Sequence, residues 1–362
     1  MPACARKEIF DPEEVGLYFC TSRCVRRAFL CGEDDYTGNN YDHRKVWMEE
    51  MLQYMAQYFS LDIVSHSILS NHFHIILRNR PDVVKTWSDR RVAEHWLRLY
   101  PKDREQEGKP CDPKPSQIRA LAKDKKRIAQ LRQRLSSISW FHAYLKEKIA
   151  RRSNVEDEAT GAFWEGRFRC TRLIDASALV AASVYVDLNW IRAQMAKTPE
   201  TSRHSSVWFR IAARQARQRA ARRRGAGRQA PTSATGAAAD GWLAPIYEGS
   251  LPADQRFAGR GLRISDTPGL PMTLDQYLQL VDWTGRQVRR GKRGTIPAEL
   301  ADILQRLNVD SSIWLEGIEH FEQWFHRAAG CARGMMDKAR QAGRRWFHGL
   351  DRCRQFFIST ED

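Results

Sequence analysis

The chain has no Cys-x-x-Cys pair among its eight cysteines (Cys4, Cys20, Cys24, Cys31, Cys111, Cys170, Cys331 and Cys353), which argues against a zinc ribbon. No N-terminal run resembles a signal peptide, and no apolar run reaches the length of a membrane span. The expectation is a soluble, cytoplasmic protein with reduced thiols and no membrane partner. No helix-turn-helix signature stands out. Acidic residues are missing altogether from Arg203 to Ala239, where nine arginines fall: 203, 210, 214, 217, 219, 222, 223, 224 and 228.

What is present is positive charge. The 362 residues carry 59 Lys and Arg against 43 Asp and Glu, a formal net charge of +16. A surplus of this size, clustered along the chain, points to a polyanion, with nucleic acid the first choice. The length allows two domains with cores of their own.

Leu61 to Arg78 is the stretch around which the rest is organised. It reads as two apolar strands, Asp62–Leu69 and His72–Arg78, joined by a tight turn at Ser70-Asn71. Alternation sends His72 and His74 to one face and Phe73, Ile75 and Leu77 to the other. Two imidazoles so spaced on a central strand form half a ligand set for a divalent metal; packing or a solvated surface is the plainer use of the same pattern. Downstream, Asp175–Met195 reads as a helix, with Asp175 as N-cap and Val180, Val184, Leu188, Ile191 and Met195 as an apolar stripe. Tyr185 and Asn189 then sit one turn apart on one face. They could supply a nucleophile and a metal ligand, or be ordinary packing and polar neighbours.

The pairing of "NHFH" on a strand with "YVDLNWIRAQM" on a later helix resembles the single-tyrosine HUH transposases, in particular the REP-associated tyrosine transposase branch. Phe163-Trp164-Glu165-Gly166-Arg167-Phe168 is similar to that family's Leu-Trp-Gln-Gly-Arg-Phe strand, and Ser205-Ser206-Val207-Trp208 to its Trp-Ser-Ser-Tyr end-piece. The resemblance covers about residues 15–210. It departs from the family at Ser70 (usually Pro), Trp190 (Pro) and Gln194 (Gly). It implies that His72, His74 and Asn189 hold Mg²⁺ or Mn²⁺ and that Tyr185 is the nucleophile. The implied activity is cleavage and rejoining of single-stranded DNA through a 5′-phosphotyrosine, on palindromic hairpin repeats, in DNA transposition. The implied setting is cytoplasmic and nucleoid-associated, and the resemblance allows a monomer or a homodimer.

The element order predicts an α+β fold. Val15–Cys31 reads as a first strand or hairpin, Asp42–Phe59 as a helix, then the two strands above, and Ala162–Leu173 as a later strand or hairpin. Strand, helix, strand, strand, helix, strand suggests a ferredoxin-like antiparallel sheet palm, the palm type of the resembled family. A helical insertion of about 83–154 interrupts it, with helices over Val83–Tyr100 and Ser116–Arg152; the latter is dense in Lys and Arg and serves either phosphate contact or solubility. Tyr144 on that helix is a competing nucleophile without the Tyr-x-x-x-Asn context. Trp164 is read as core. Arg167, Arg169 and Arg192, with Arg222, Arg223 and Arg224 of the basic run, are DNA-binding candidates. Residues 1–210 are thus expected to be the catalytic domain. Residues 211–270 are expected to be a basic flexible linker whose start could become helical on binding, and 271–362 a helical C-terminal domain for hairpin recognition or dimerisation. Two other classes fit the same residues: a DNA- or RNA-binding protein without catalysis, and a metal-dependent hydrolase using activated water.

Overall fold

Five strands assemble into one sheet: β1 (Gly16–Arg23), β2 (Leu61–Ile68) and β3 (His72–Asn79), which carry the β-branched and aromatic residues, and the shorter β4 (Arg169–Leu173) and β5 (Ala328–Ala329). In this computed structural model the spatial order is β2-β3-β1-β4-β5, antiparallel throughout except for β5, which runs parallel to β4. The structure describes residues 9–25, 31–33, 38–103, 111–225, 239–247, 262–290 and 298–358. Residues 1–8, the linker residues 226–238 and the Arg224 side chain lie outside the described residues. The fold is α+β, as expected.

Helix α1 (His43–Tyr58) connects β1 to β2. Between β3 and β4 come α2 (Pro81–Thr86), α3 (Asp89–Leu99), α4 (Pro115–Lys123), α5 (Lys125–Leu135) and α6 (Ile138–Glu156). The insertion therefore has more, shorter helices than expected, and the breaks have local causes. The Ser88 hydroxyl accepts from Arg91 N (3.2 Å) and starts α3; the Asp124 carboxylate accepts from Arg127 N (2.9 Å) and starts α5. Both are N-caps placed inside a continuous apolar periodicity.

After β4 follow α7 (Ala176–Asp187), α8 (Asn189–Arg192), α9 (Ser206–Gly225), α10 (Leu274–Arg290), α11 (Ala298–Arg306), α12 (Trp314–Trp324), α13 (Ala332–Gln341) and α14 (Leu350–Phe356). A capping box opens α10: Gln276 N donates to Thr273 Oγ1 (3.2 Å) and Thr273 N to Gln276 Oε1 (3.0 Å). No described helix is long and apolar enough to cross a membrane.

Each face of the sheet has its own core. Tyr18, Cys20, Phe73, Ile75 and Leu77 pack with Met48, Leu52 and Met55 of α1 and with Leu131, Phe141 and Leu145 of the insertion. Phe19, Val64 and Ile76 pack on the opposite face with Val180 and Val184 of α7, Tyr277 of α10 and Trp314 and Phe321 of α12. The competitor Tyr144 belongs to the first core, against Phe59 and Tyr100 (centroids 6.1 and 5.2 Å). That places it across the sheet from α7. Trp164 is buried, edge-on to Phe73 at 5.6 Å, and is core as expected.

The C-terminal helices do not build a core of their own; they complete the second one. Parts of the stretch expected to be flexible linker are fixed as well. Helix α9 crosses the boundary expected at residue 210. Leu243 bridges to Ile63, and Ala244 N donates to the Ile63 carbonyl (2.8 Å). Ser265 Oγ donates to Asp62 (2.6 Å), a buried carboxylate also held by Arg78 and Arg80. A buried carboxylate with donors on every side makes the edge strand β2 a fixed anchor for these segments.

Candidate functional site

Strand register brings the first residues together. On β3, His74 lies opposite Thr21 and His72 opposite Arg23 of β1, and Thr21 lies opposite Arg169 of β4. Directly opposed residues share a face, so imidazoles, hydroxyl and guanidinium groups form one polar row on the α7 side. The His72 and His74 rings stand 4.9 Å apart. His74 is 1 % exposed and stacks on Phe19 at 5.5 Å. Its Nδ1 lies 3.0 Å from Thr21 Oγ1, and its Nε2 is buried with no hydrogen-bond partner. The His72 Nδ1 donates to Asn71 Oδ1 at 2.6 Å, which leaves its Nε2 a lone pair.

Both rings are held neutral. Burial pushes His72 down to about 3, helped by His74 and Arg23. Burial pushes His74 down to about 3 as well, with Arg192 and Arg23 adding to it. A neutral imidazole is the form that ligates a metal.

Helix α7 is buried on all sides from Ser177 to Asp187, as a helix must be when it lies between a sheet and a second helical layer. Its ends are pinned by carboxylates. Asp175 accepts from Ala178 N (2.9 Å) and from Cys331 N (2.6 Å). The Asp187 carboxylate accepts from Ser206 Oγ (2.5 Å), Val207 N (3.1 Å) and Tyr277 Oη (2.5 Å). Tyr185, two residues before that clamp, is thereby fixed with its ring edge-on to His74 at 5.6 Å between centroids. Its hydroxyl donates to Glu322 Oε2 on α12 at 3.0 Å, and the Arg192 guanidinium lies 4.5 Å over its ring. Burial first, and then the Glu322 charge, push the phenol up to about 12, against an opposing pull from Arg192.

These groups line a cavity of about 460 Å³. Thr21, Arg23, His72, Arg167, Arg169, Tyr185 and Arg192 border it from the sheet and α7–α8 side, and Glu319, Glu322, Gln323 and His326 from α12 and the turn after it. Arg23, Arg167 and Arg169 are exposed and form no ion pair among the described residues, and the carboxylates of Glu165, Glu319 and Glu322 share the lining with them.

Of the residues expected from sequence, His72, His74, Tyr185, Arg167, Arg169 and Arg192 come together. Asn189 does not join them. The helix breaks between Asp187 and Asn189, and Asn189 Nδ2 turns back to donate to the Tyr185 carbonyl at 3.1 Å. It is no part of the cavity wall. Arg222 and Arg223 are exposed on α9 and do not line the cavity either; nearby Arg217 and Arg214 are paired with Asp240 and Asp275. Thr21, Arg23, Glu319, Glu322, Gln323 and His326 were missed. Alternation along β1 carries a signal for Thr21 and Arg23; nothing local marks Glu322.

Among the described residues no three His, Cys, Asp or Glu side chains converge as a ready metal cage. A second hollow of about 500 Å³, between α8 and α10, is lined by Lys197, Glu200, Asp282 and Arg286, of which Arg286 and Asp282 are paired. No family model matches this chain, no curated protein matches it, and no solved structure does.

Proposed function

We propose that this chain cuts and rejoins single-stranded DNA through a covalent phosphotyrosine bond on Tyr185, as its resemblance to the single-tyrosine HUH transposases implies. One observation carries the reading. A tyrosine, 137 residues distant in sequence from its hydrogen-bond partner Glu322, rests 5.6 Å from the His-x-His strand in a cavity edged by unpaired arginines. The order β2-β3-β1-β4 around a strand-helix-strand-strand-helices-strand chain path also favours the ferredoxin-like palm over other α+β sheets.

The donor set fits a divalent ion in part. Two neutral imidazoles, one with a buried and unpartnered Nε2, suit Mg²⁺ or Mn²⁺ completed by oxygens of DNA and water. His72 and His74 would hold it; the resemblance adds Asn189, whose Nδ2 donates to the Tyr185 carbonyl and which does not line the cavity. A bound ion would polarise the scissile phosphate as a Lewis acid.

The chain's own groups account for the remaining steps. Arg23, Arg167 and Arg169 receive the phosphates of the strand. Tyr185 Oη attacks phosphorus, the P–O3′ bond breaks, and a free 3′-hydroxyl and a 5′-phosphotyrosine result. Attack by a 3′-hydroxyl on that linkage restores the phosphodiester and the phenol, so no nucleotide cofactor is consumed. Hairpin DNA is the proposed substrate because its single-stranded flanks leave the phosphate reachable.

Incubating a labelled hairpin oligonucleotide with the protein and Mn²⁺, followed by a denaturing gel, tests the reading. A labelled band at protein size, lost in Tyr185→Phe, is the expected result. Binding without an adduct would favour a non-catalytic nucleic-acid binder, and cleavage without an adduct a hydrolase using water.

A further inference from the structure

We propose that Glu322, on helix α12, is the general base that deprotonates Tyr185 as it attacks, so that the C-terminal helices are part of the active site. The assignment rests on the phosphotyrosine reading above and deepens it.

Geometry comes first. The phenol donates to Glu322 Oε2 at 3.0 Å, inside the range a proton transfer requires. The charged and titratable groups around the pair are His72 and His74 of β3, Arg23 of β1, Glu165 and Arg167 of the segment before β4, Arg169 of β4, Arg192 of α8, Glu319 of α12 and His326 just after it. Among the described residues Glu322 is the acceptor that the phenol uses.

Its position is built rather than incidental. Trp314 is fully buried at the start of α12, and its Nε1 donates to Thr284 Oγ1 at 3.0 Å. Phe321, the neighbour of Glu322, packs 5.8 Å from the Tyr185 ring and 6.1 Å from Phe19. Directly after α12, β5 pairs with β4. The helix is thus tied to α10 at its start and, through β5, to the sheet that carries the histidines at its end.

Chemistry supplies the need. A phenol that keeps its proton is a weak nucleophile, and Tyr185 is buried, 5 % exposed. A carboxylate already bonded to the hydroxyl removes the requirement for prior ionisation. The proton passes to Oε2 as the Oη–P bond forms and the P–O3′ bond breaks, and the leaving 3′ oxygen takes a proton from water in the open cavity. In the return step the 3′-hydroxyl attacks phosphorus and loses its proton to water, and the departing Tyr185 oxygen recovers its proton from Glu322.

The test is single-turnover adduct formation on a 3′-labelled hairpin oligonucleotide with Mn²⁺, followed across about pH 6 to 9.5 for the wild type, Glu322→Gln and Glu322→Asp. Glu322→Gln is expected to bind the hairpin normally but to react about 10²-fold more slowly at neutral pH. Its rate should climb roughly tenfold per pH unit, because the phenol must then ionise first, so the gap to wild type narrows in alkali. Glu322→Asp, which keeps a carboxylate, should recover part of the rate. A Glu322→Gln rate within about threefold of wild type, or a deficit of the same factor at every pH, would overturn the assignment while leaving the phosphotyrosine reading intact. A wild type that binds hairpins and forms no adduct at any pH would overturn both.

Discussion

The ring of His74 meets the ring of Tyr185 edge-on, 5.6 Å between centroids and 85° between planes. That contact joins the centre of the sheet to helix α7, and with it the two motifs that stand more than one hundred residues apart in the sequence. Its consequences for the ring nitrogens, the surrounding charge and the stability of the face can each be measured.

Thr21 fixes the orientation of His74 through the 3.0 Å contact to Nδ1. Replacing Thr21 by Val keeps the shape and strand propensity and removes the hydroxyl. Loss of such a partner typically costs 10- to 100-fold in metal affinity or activity. Thr21→Val is therefore expected to raise the Mn²⁺ concentration needed for half-maximal adduct formation by about that factor, with the melting temperature little changed. An unchanged metal requirement would mean that the hydroxyl does not orient the ring.

Arg167 and Arg169 project unpaired into the cavity, and each is expected to neutralise a phosphate of a bound single strand. Each such contact contributes about 0.7 to the slope of log affinity against log salt. Fluorescence anisotropy with a labelled single strand over a salt series should give slopes shallower by about 0.7 in Arg167→Ala and Arg169→Ala, and by about twice that in the double variant. Arg223→Ala, on α9 away from the cavity, should leave cleavage intact; equal losses from all three positions would disperse the proposed interface.

His66 offers a pH signature. It is 1 % exposed, packs against Trp242 at 4.9 Å and has no hydrogen-bond partner on either ring nitrogen. Burial, with His204 and Arg210 adding to it, pushes it down to about 3. The folded chain keeps this ring neutral while the unfolded chain binds a proton below its ordinary value of 6.5. Stability is thus present above that value and is lost as pH falls from about 6.5 toward 3, at no more than about 1.4 kcal/mol per pH unit from this group. Urea unfolding between pH 7.5 and 5 should show a slope to which His66 adds that share beside His72 and His74, and His66→Leu should reduce it by close to one proton's worth. A variant with the wild-type slope would contradict the account of this side chain.

Tyr277→Phe tests the clamp on the end of α7. The lost hydroxyl leaves the fully buried Asp187 carboxylate with Ser206 and Val207 as donors. Removing one partner of a buried, charged hydrogen bond costs about 1–3 kcal/mol. Chemical denaturation should report a loss in that range, and adduct formation should slow because Tyr185 is less well held. Loss of neither would show that packing alone fixes the helix.

Much of this was legible in the sequence because the signals are local. Period-two alternation put His72 and His74 on one face and Phe73, Ile75 and Leu77 on the other, and the structure sorts them into the site and the first core accordingly. Apolar periodicity found the insertion and α7. It did not find the breaks at Ser88 and Asp124, because a single capping side chain interrupts an apolar stripe without disturbing it. Asn189 stands one turn from Tyr185, as the spacing implies, with its Nδ2 bonded to the Tyr185 carbonyl; that it lies off the cavity wall is a matter of packing that the spacing does not carry. Glu322 could not be read at all. It is one of three glutamates on an amphipathic helix, and only the docking of α12 against α7 singles it out.

The most direct measurement is to find the atom that carries the DNA. Trypsin cuts after Arg172 and Arg192, so Tyr185 lies on a peptide, Leu173–Arg192, that contains no other tyrosine. After reaction with hairpin DNA, nuclease trimming and tryptic digestion, mass spectrometry should find a nucleotide 5′-phosphate on that peptide, bound to Tyr185. A nucleotide on the peptide bearing Tyr144, or cleaved DNA with no modified peptide, would contradict it.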